Sequence, residues 1–431
     1  MTLKAFPTFL CLLFLAVIVN AQSDYDQKTI DKARQIHESV ITIDTHNDIS
    51  VSNFTHEKNY TMELNTQVNL PKMDKGGLDV TWLIVYTGQG ELTTEGYAKA
   101  AKNATDKFEA IHRLVKEFAP DQIELALTSD DVRRIHKKGK KIAMIGVENA
   151  YPMGLDINNV KKYHEMGARY MSLSHNGHSQ FCDSNTGERD NVWLYNGLSD
   201  LGRKVIEEMN KYGIMIDLSH PSYESNKQTL LHSKAPVIAS HSSARSLNDV
   251  SRNLEDDLLD MVKENGGVVQ TVAFKSYVNS EKHKANRDAI TKLYTETAAE
   301  LGGEYKNRWQ VRGMTEEDRK AYKEFEVKLH EATKNELAEI NKKFPPVDVK
   351  DFVDHIDYMV NRIGIDHVGI SSDFDGGGGV EGWEDASETF HVTLELVHRG
   401  YTKKEIAKLW GENLLRVLDD VQKVAKQLQK S

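Results

Sequence analysis

Cysteine is nearly absent from this 431-residue sequence, which contains only Cys11 and Cys182. Cys11 lies within an apolar run at residues 9–19, which is shorter than a membrane span and ends at a small-residue motif. This pattern predicts that residues 1–21 are a cleaved secretory signal peptide rather than an uncleaved anchor. We therefore expect a secreted or periplasmic protein. Cleavage would leave Cys182 alone, so the mature chain would contain no intramolecular disulfide.

Other features are also missing. The formal net charge of −10 and the pI near 6.0 argue against a nucleic-acid partner, because phosphate contacts need a concentrated basic surface. The polar C-terminus has no hydrophobic tail for a lipid anchor, so no permanent membrane anchor is expected. No Gly-x-Gly-x-x-Gly turn follows the first predicted strand, which disfavours a dinucleotide-binding open sheet.

What the sequence does contain is a series of eight short apolar runs, most of them separated by helical patterns. This alternation predicts a parallel sheet, and eight units favour an α/β fold of the (β/α)8 TIM-type barrel class over a doubly wound open sheet. Residues 22–431 would form one domain, with a helical insertion at about 278–350 between strands 7 and 8 and C-terminal helices at about 402–429. The predicted strands are 41–48, 79–87, 141–147, 169–173, 214–218, 236–240, 267–273 and 367–372.

The first of these runs ends in polar residues that matter for function. Side chains two positions apart on a strand point to the same face, so His46 and Asp48 would converge on one point. An imidazole and a carboxylate placed in this way form half of a metal site. Taken alone, the pair is more often a set of ordinary hydrogen-bonding groups at a strand end.

Residues able to bind metal or transfer protons recur at the ends of the later strands. In a (β/α)8 barrel the carboxyl ends of all strands share one rim, so these residues would meet there. Imidazole and carboxylate ligands without thiolate indicate zinc or a similar metal. Five ligands exceed the needs of one catalytic zinc, whereas two metals bridged by a carboxylate would use them all. Glu148 is the candidate for this bridge. The seven residues at the strand ends that could bind metal or transfer protons are His46, Asp48, Glu148, His175, His220, His241 and Asp373.

Several short motifs spread along the chain together resemble the membrane (renal-type) dipeptidases, dizinc metallopeptidases of the amidohydrolase-like barrel class. They occur in the order of that family and span most of the predicted mature chain. Any one of them would be weak evidence, but the full set is specific. The motifs are His46-Asn47-Asp48, Gly146-Val147-Glu148, Ser174-His175, Asp217-Leu218-Ser219-His220, Ser240-His241-Ser242-Ser243-Ala244, Arg252-Asn253 and Asp373-Phe374-Asp375-Gly376.

The resemblance implies two Zn²⁺ ions per chain and assigns their ligands. His46 and Asp48 would bind one ion, His220 and His241 the other, and Glu148 would bridge the two. The implied reaction is hydrolysis of dipeptides, including those with a C-terminal D-residue, by attack of a metal-bridging hydroxide.

The resemblance also assigns residues to the substrate. Asp373 would handle the proton of the attacking water, and His175 would stabilise the oxyanion. Arg252 would receive the terminal carboxylate of the dipeptide, together with Tyr277. Asp375 is a second candidate for the base, although the glycine run that follows it indicates that the strand has already ended.

The chain departs from the family pattern at 149–151 and at 178–195, and both segments would border the pocket and affect side-chain preference. A disulfide-linked, lipid-anchored dimer is not expected, while a homodimer of another kind stays open. Two other functions also stay open. One is a related barrel hydrolase acting on lactones or cyclic amides, and the other is an inactive barrel that only binds peptides.

Overall fold

The computed structural model describes residues 25–307, 310–311 and 313–430; the predicted signal peptide lies outside the described residues. Within these ranges nine strands form one sheet, in which eight follow each other in the order β1-β2-β4-β5-β6-β7-β8-β9 and β3 pairs only with β4. Every pairing is parallel. The strands are β1 Ile43–Asp48, β2 Val80–Tyr86, β3 Ile123–Leu125, β4 Lys141–Glu148, β5 Ala168–Ser172, β6 Met215–Asp217, β7 Ile238–Ala239, β8 Val268–Val272 and β9 Val368–Ser371.

The first and last strands of this series meet. Asn47 forms a parallel bridge with Phe374, and the backbone N–H of Asp48 donates to the Phe374 carbonyl at 2.8 Å. The buried carboxylate of Asp44 reinforces the contact by accepting hydrogen bonds from the backbone N–H of Ser372 at 2.9 Å and from its hydroxyl. Eight parallel strands thus form a nearly closed barrel. The predicted (β/α)8 class is confirmed, and the open-sheet alternative is wrong.

Helices surround the barrel on the outside. A five-residue π-helical segment, Leu114–Phe118, extends the helix Thr94–Arg113, and a second one, Lys408–Glu412, joins the helices Lys403–Ala407 and Asn413–Leu428. None of the described helices is both long and apolar enough to cross a lipid bilayer. The helices are α1 Gln27–His37, α2 Leu70–Gly76, α3 Thr94–Arg113, α4 Ser129–His136, α5 Asn159–Glu165, α6 Thr186–Asp190, α7 Asp200–Tyr212, α8 Tyr223–His232, α9 Asp256–Asn265, α10 Lys275–Val278, α11 Ser280–Glu300, α12 Glu316–Lys343, α13 Val349–Ile363, α14 Phe390–His398, α15 Lys403–Ala407 and α16 Asn413–Leu428.

Local sequence explains where helix α7 begins and ends. The hydroxyl of Ser199 accepts a hydrogen bond from the backbone N–H of Gly202 at 3.0 Å, which satisfies a donor that the first turn leaves free. Gly213 ends the helix in the left-handed conformation at φ 78°, which costs a glycine little. The bounds of α7 are therefore fixed by short signals that can be read from the sequence.

Helix α16 closes the amino-terminal end of the barrel. Its apolar face, which includes Leu414 and Leu418, packs in one buried cluster with Ile43, Val80 and Val268 at or near the starts of three strands. Burial of such side chains stabilises the fold by about 25 cal/mol for each Å² removed from water. The opposite end, where the strands finish, is left as the face that can admit a ligand.

Long helices lie between β8 and β9. Helices α11 and α12 pack against each other as an antiparallel pair, with the rings of Tyr294 and His330 5.5 Å apart and Asn286 donating to Asn341 at 2.9 Å. Thr315 caps the start of α12 by accepting from the backbone N–H of Asp318 at 3.2 Å. The chain then enters α13 and returns to the barrel through β9.

Candidate metal centre

Glu148, the last residue of β4, lies at the middle of the open end of the barrel and is 3% exposed. Its Oε1 is 2.8 Å from the Nε2 of His220, 3.3 Å from that of His241 and 3.8 Å from that of His175. Its Oε2 is 3.5 Å from the Nε2 of His46. One carboxylate therefore faces imidazole nitrogens through both of its oxygens.

A second group of carboxylates surrounds His46, whose side chain is fully buried. The Nε2 of His46 lies 3.7 Å from Asp48 Oδ2 and 3.9 Å from Asp373 Oδ1. The seven predicted rim residues therefore come together, although they are separated by as many as 327 positions in the chain. Their side-chain ligand atoms, which lie within 4.8 Å of one another in each group, form three groups: His46, His241 and Asp373; Glu148, His175 and His220; His46, Asp48 and Glu148.

The buried nitrogens fit a bound cation. The Nε2 of His46 is buried with no hydrogen-bond partner in the described structure, and the Nε2 atoms of His220 and His241 face each other at 3.1 Å. Buried imidazoles that converge with carboxylates in this way are expected to be paired or to coordinate metal. The nitrogen and oxygen donors without sulfur suit zinc and similar metals.

The electrostatics of the histidines favour the same interpretation. Burial holds the pKa of His220 and of His241 well below the usual value, and the positive charge of Arg252 adds to this, so both rings are neutral as metal ligands must be. For His46, burial lowers the pKa, but the nearby carboxylates, Glu148 foremost, outweigh it and raise the pKa well above the usual value. The position of its Nε2 therefore attracts positive charge, whether as a proton or as a metal.

The carboxylates respond in opposite directions. Burial would raise the pKa of Glu148, but His46, His175 and the hydrogen bonds from the other two histidines hold it well below the usual value. Burial raises the pKa of Asp373 well above the usual value, and the charges of Asp48 and Glu148 add to this. Two carboxyl groups in one site with pKa values moved apart suit different roles, a permanent anion and a proton carrier.

Contacts behind the histidines fix which ring nitrogen faces the centre. Tyr170 on β5 places its hydroxyl 2.9 Å from the Nδ1 of His46, and Ser240 places its hydroxyl 2.8 Å from the Nδ1 of His241. The Ser240 hydroxyl in turn donates to Asp217 at 2.6 Å. Such contacts orient the rings of metal-binding histidines. These roles were not predicted from the sequence. Asp217 and Ser240 belong to the motifs quoted above, whereas Tyr170 gives no signal beyond its place in a predicted strand.

Tyr170→Phe is expected to weaken metal binding by about 10- to 100-fold, because His46 loses the hydroxyl that holds its Nδ1. Competition with a chromophoric chelator measures the affinity directly, and added metal should restore much of the lost activity. Tyr163→Phe, at a buried tyrosine of α5, is the control. Equal metal affinity in the two variants would contradict the orienting role of Tyr170.

Arg252 and Tyr277 lie beside the histidines on the β7–β8 side. Arg252 is 7% exposed, donates to the carbonyl of His241 at 3.2 Å, and has a buried Nε without a hydrogen-bond partner in the described structure. Its guanidinium lies 5.2 Å from the ring centroid of Tyr277, which stacks on Phe274 at 4.1 Å. The guanidinium therefore keeps hydrogen-bonding capacity next to the carboxylate and imidazole cluster.

Asp375, the second candidate for the base, is already engaged. Its carboxylate accepts hydrogen bonds from the backbone N–H groups of Gln67 at 3.0 Å and of Val68 at 3.3 Å. Those contacts hold the segment that leads into α2. The carboxylate of Asp375 therefore has a structural role, whereas the carboxylate of Asp373 faces His46 in the centre.

A cavity of about 250 Å³ borders His220 and Arg252. Its wall includes the apolar surfaces of Trp193, Tyr223 and Leu254. The space is therefore large enough for an amino-acid side chain next to the guanidinium of Arg252.

Comparison with known proteins decides the family. The family model described as membrane dipeptidase, peptidase family M19, matches residues 30–431. The chain belongs to this family. It is accordingly a metallodipeptidase, a hydrolase, and the resemblance found in the sequence motifs is confirmed.

Relatives of this M19 chain include sequences named as dipeptidases and solved structures. It is 30% identical to dipeptidase aclJ of Aspergillus oryzae over 407 residues, and this alignment covers 91% of this chain and 81% of that protein. It is 28% identical over 370 residues to dipeptidase tcpJ of Claviceps purpurea, covering 85% of this chain and 72% of that one. The crystal structure of the probable dipeptidase PvdM from Pseudomonas aeruginosa superposes with a TM-score of 0.74 at 31% identity, over 93% of this chain and all of that one.

Segment 149–151, which the sequence analysis expected to depart from the family pattern, makes structural contacts in this chain. Asn149 adopts φ 75°, and its side chain donates to the Thr87 carbonyl at 3.0 Å. Tyr151 is buried, and its hydroxyl donates to the Glu91 carbonyl at 2.6 Å. Segment 149–151 therefore fastens the loop after β2 to the loop after β4 at the edge of the centre.

Proposed function

We propose that this chain hydrolyses dipeptides at a centre of two zinc ions bridged by Glu148. The observation that supports the proposal best is the placement of Glu148 between two sets of ligands, with Oε1 within 3.3 Å of the nitrogens of His220 and His241 and Oε2 facing His46 at 3.5 Å. Asp48 completes the set on the His46 side. Bound by these residues, two zinc ions would supply a nucleophilic water and polarise the scissile carbonyl.

Asp373 is the proposed proton carrier. Its Oδ1 lies at the centre, 3.9 Å from His46, and burial favours its protonated form. Cations held by the neighbouring ligands would favour its ionised form, which allows it to accept a proton from the attacking water. The same carboxyl group then returns this proton to the leaving amine.

His175 is the proposed donor to the oxyanion. Its ring packs against that of His220 at 4.0 Å, and its Nε2 lies 3.8 Å from Glu148. Burial lowers the pKa of His175, so its ring is neutral and carries one N–H. A fixed N–H aimed at the new negative oxygen stabilises the tetrahedral intermediate more than the ground state.

Arg252, with Tyr277 beneath it, is the proposed binding site for the terminal carboxylate of the dipeptide. A planar guanidinium pairs with a carboxylate through two parallel hydrogen bonds. The adjacent cavity of about 250 Å³ would take the side chain of the C-terminal residue, and we propose that it accepts both L- and D-residues there.

The function is tested by metal analysis together with an assay on L-L and L-D dipeptides, with and without chelator. We expect two zinc ions per chain and chelator-sensitive release of both amino acids. Hydrolysis of lactones or cyclic amides without any dipeptide cleavage would contradict the proposal. So would metal binding without turnover of any dipeptide.

Arg252→Ala is expected to raise KM by about 10- to 100-fold with a smaller effect on kcat, since a charged hydrogen-bonding partner of the substrate is lost. Zinc content should stay at the wild-type level because Arg252 is not a ligand. Steady-state kinetics and metal analysis measure both effects. Arg189→Ala, at an exposed arginine of α6, is the control and should leave KM unchanged. An unaltered KM in the Arg252 variant would remove this residue from the substrate site.

We also propose that the mature enzyme acts outside the cytoplasm, in the periplasm or the extracellular space, because residues 1–21 have the pattern of a cleaved signal peptide. N-terminal sequencing of the protein recovered from its native host should begin at residue 22. A recovered chain that retains residues 1–21 would contradict this.

A further inference from the structure

Lys107 is a buried cation that the proposed mechanism does not use. It lies on the inward face of α3 among Ala104, Phe108 and Ile111, and its side chain is only 8% exposed. Lysine is seldom buried to this degree without a partner of opposite charge. Within the described residues, however, its ammonium group makes no hydrogen bond and no ion pair with another side chain. It makes a cation–π contact with the ring of Tyr86, whose centroid lies 5.1 Å from Nζ.

The position of Lys107 connects it to the metal centre. Tyr86 is the last residue of β2 and pairs in register with Glu148 on β4. The ring of Tyr86 also packs 4.7 Å from the ring of His175. Burial lowers the pKa of Lys107 below its usual value, and the charges of Asp48 and Glu148 oppose this shift, which places the ammonium group within the electrostatic field of the centre.

Lys107 and Arg252 lie on opposite sides of the barrel mouth. Arg252 follows β7, whereas Lys107 lies over the end of β2, and these two strands are four positions apart in the closed order of eight. A dipeptide with its terminal carboxylate at Arg252 and its scissile carbonyl at Glu148 would extend its N-terminal residue towards Lys107.

Two roles internal to the protein explain Lys107 less well. Lys107 does not neutralise Asp48 through an ion pair, because no oxygen of that carboxylate lies within 4 Å of Nζ. Among the residues that the structure describes, Asp48 pairs only with His46, at 3.7 Å. A cation–π contact with Tyr86 is weaker than the cost of taking an ammonium group out of water. Asp48 and Glu148 act on this ammonium group only from beyond ion-pair distance, so a ligand that supplies an anion in direct contact would complete its pairing.

We propose that Lys107 is a specificity-determining residue that binds an anionic side chain on the N-terminal residue of the substrate. This inference rests on the proposed dipeptidase function. The preferred substrates would then be dipeptides that begin with glutamate or aspartate. The ammonium group of a largely buried side chain binds a carboxylate strongly, and a neutral side chain of the same shape would leave it unpaired.

The test compares L-Glu-L-Ala with L-Gln-L-Ala, two substrates of nearly the same shape that differ in the charge of one side chain. We expect the wild-type enzyme to prefer the glutamate substrate by at least about tenfold in kcat/KM, which is the effect of one charge-assisted hydrogen bond. In Lys107→Gln this ratio should fall towards one. Lys107→Arg, which keeps the charge, should retain much of the preference. Lys99→Gln makes the same change at an exposed position of α3 and should keep the wild-type ratio.

The outcomes separate this inference from the proposed function. Equal hydrolysis of both dipeptides by the wild-type enzyme would overturn the role of Lys107 and leave the dipeptidase function intact. A wild-type preference that persists in Lys107→Gln would also overturn it. If the enzyme hydrolysed neither of these dipeptides and none of the other dipeptides assayed, the proposed function would be overturned and this inference with it. Because the wild-type ratio and the arginine variant are measured independently, a glutamine variant that misfolds does not remove the test.

Discussion

Glu148→Gln is expected to lower kcat/KM by at least about 10³-fold and to lower the zinc content of the purified protein. Glutamine keeps the shape of the side chain but loses its charge, and its NH₂ group is a donor that cannot bind a cation. Both oxygens of Glu148 face imidazole nitrogens, at 2.8 Å on one side and 3.5 Å on the other, so the substitution affects both halves of the centre. Loss of a bridging carboxylate should therefore reduce affinity at both metal positions rather than at one.

Metal analysis after dialysis against buffer of fixed free zinc concentration measures the first effect, and dipeptide hydrolysis measures the second. Glu165→Gln, which alters an exposed carboxylate at the end of α5, is the matched control and should retain both metals and full activity. Full zinc occupancy together with wild-type kinetics in the Glu148 variant would show that this residue does not bridge the metals.

Asp373→Asn is expected to lower kcat by about 10²- to 10⁴-fold, the usual contribution of a positioned acid–base group. Asparagine has nearly the same shape but cannot accept and return a proton. If Asp373 acts as the proton carrier, the variant should keep its metals and should lose the acidic limb of the pH–rate profile. Loss of metal in parallel with activity would instead indicate that Asp373 is a ligand, in the group that it forms with His46 and His241.

Asp375→Asn provides the matched control for this experiment. Asp375 lies two residues further on, and its carboxylate holds the backbone N–H groups of Gln67 and Val68. Its substitution should lower the thermal stability of the protein while the acidic limb of the pH–rate profile persists. If the two variants changed the pH profile in the same way, the assignment of the proton to Asp373 would be wrong.

The barrel strands were predictable because each of them carries its own local signal. The eight strands were placed within two residues of their observed ends, since buried parallel strands consist of short apolar runs with polar residues where they finish. The additional strand β3, Ile123–Leu125, was missed. It has only three residues and pairs with β4 alone, so too little of its sequence is buried to produce a pattern.

The side chains behind the site were far less predictable than the ligand candidates. His46 and Glu148 belong to recognisable motifs, whereas Tyr170 and Lys107 belong to none. Tyr170 is defined by its contact with His46, 124 positions away. Lys107 is one of several lysines in α3, and nothing in the local sequence marks it as the one that the fold turns inward over Tyr86.

The strand–helix alternation, the residue types at the strand ends and the resemblance to the M19 family could all be read from the amino-acid sequence. These follow from local periodicity and short motifs, which depend on neighbours a few residues away. Three features became known from the folded chain alone. They are the histidine nitrogens that face Glu148, the hydrogen bonds that the Asp375 carboxylate accepts from backbone N–H groups, and the position of Lys107 opposite Arg252. The physical reason is that closing the barrel brings together side chains that are hundreds of residues apart, and their distances and burial arise only after that closure.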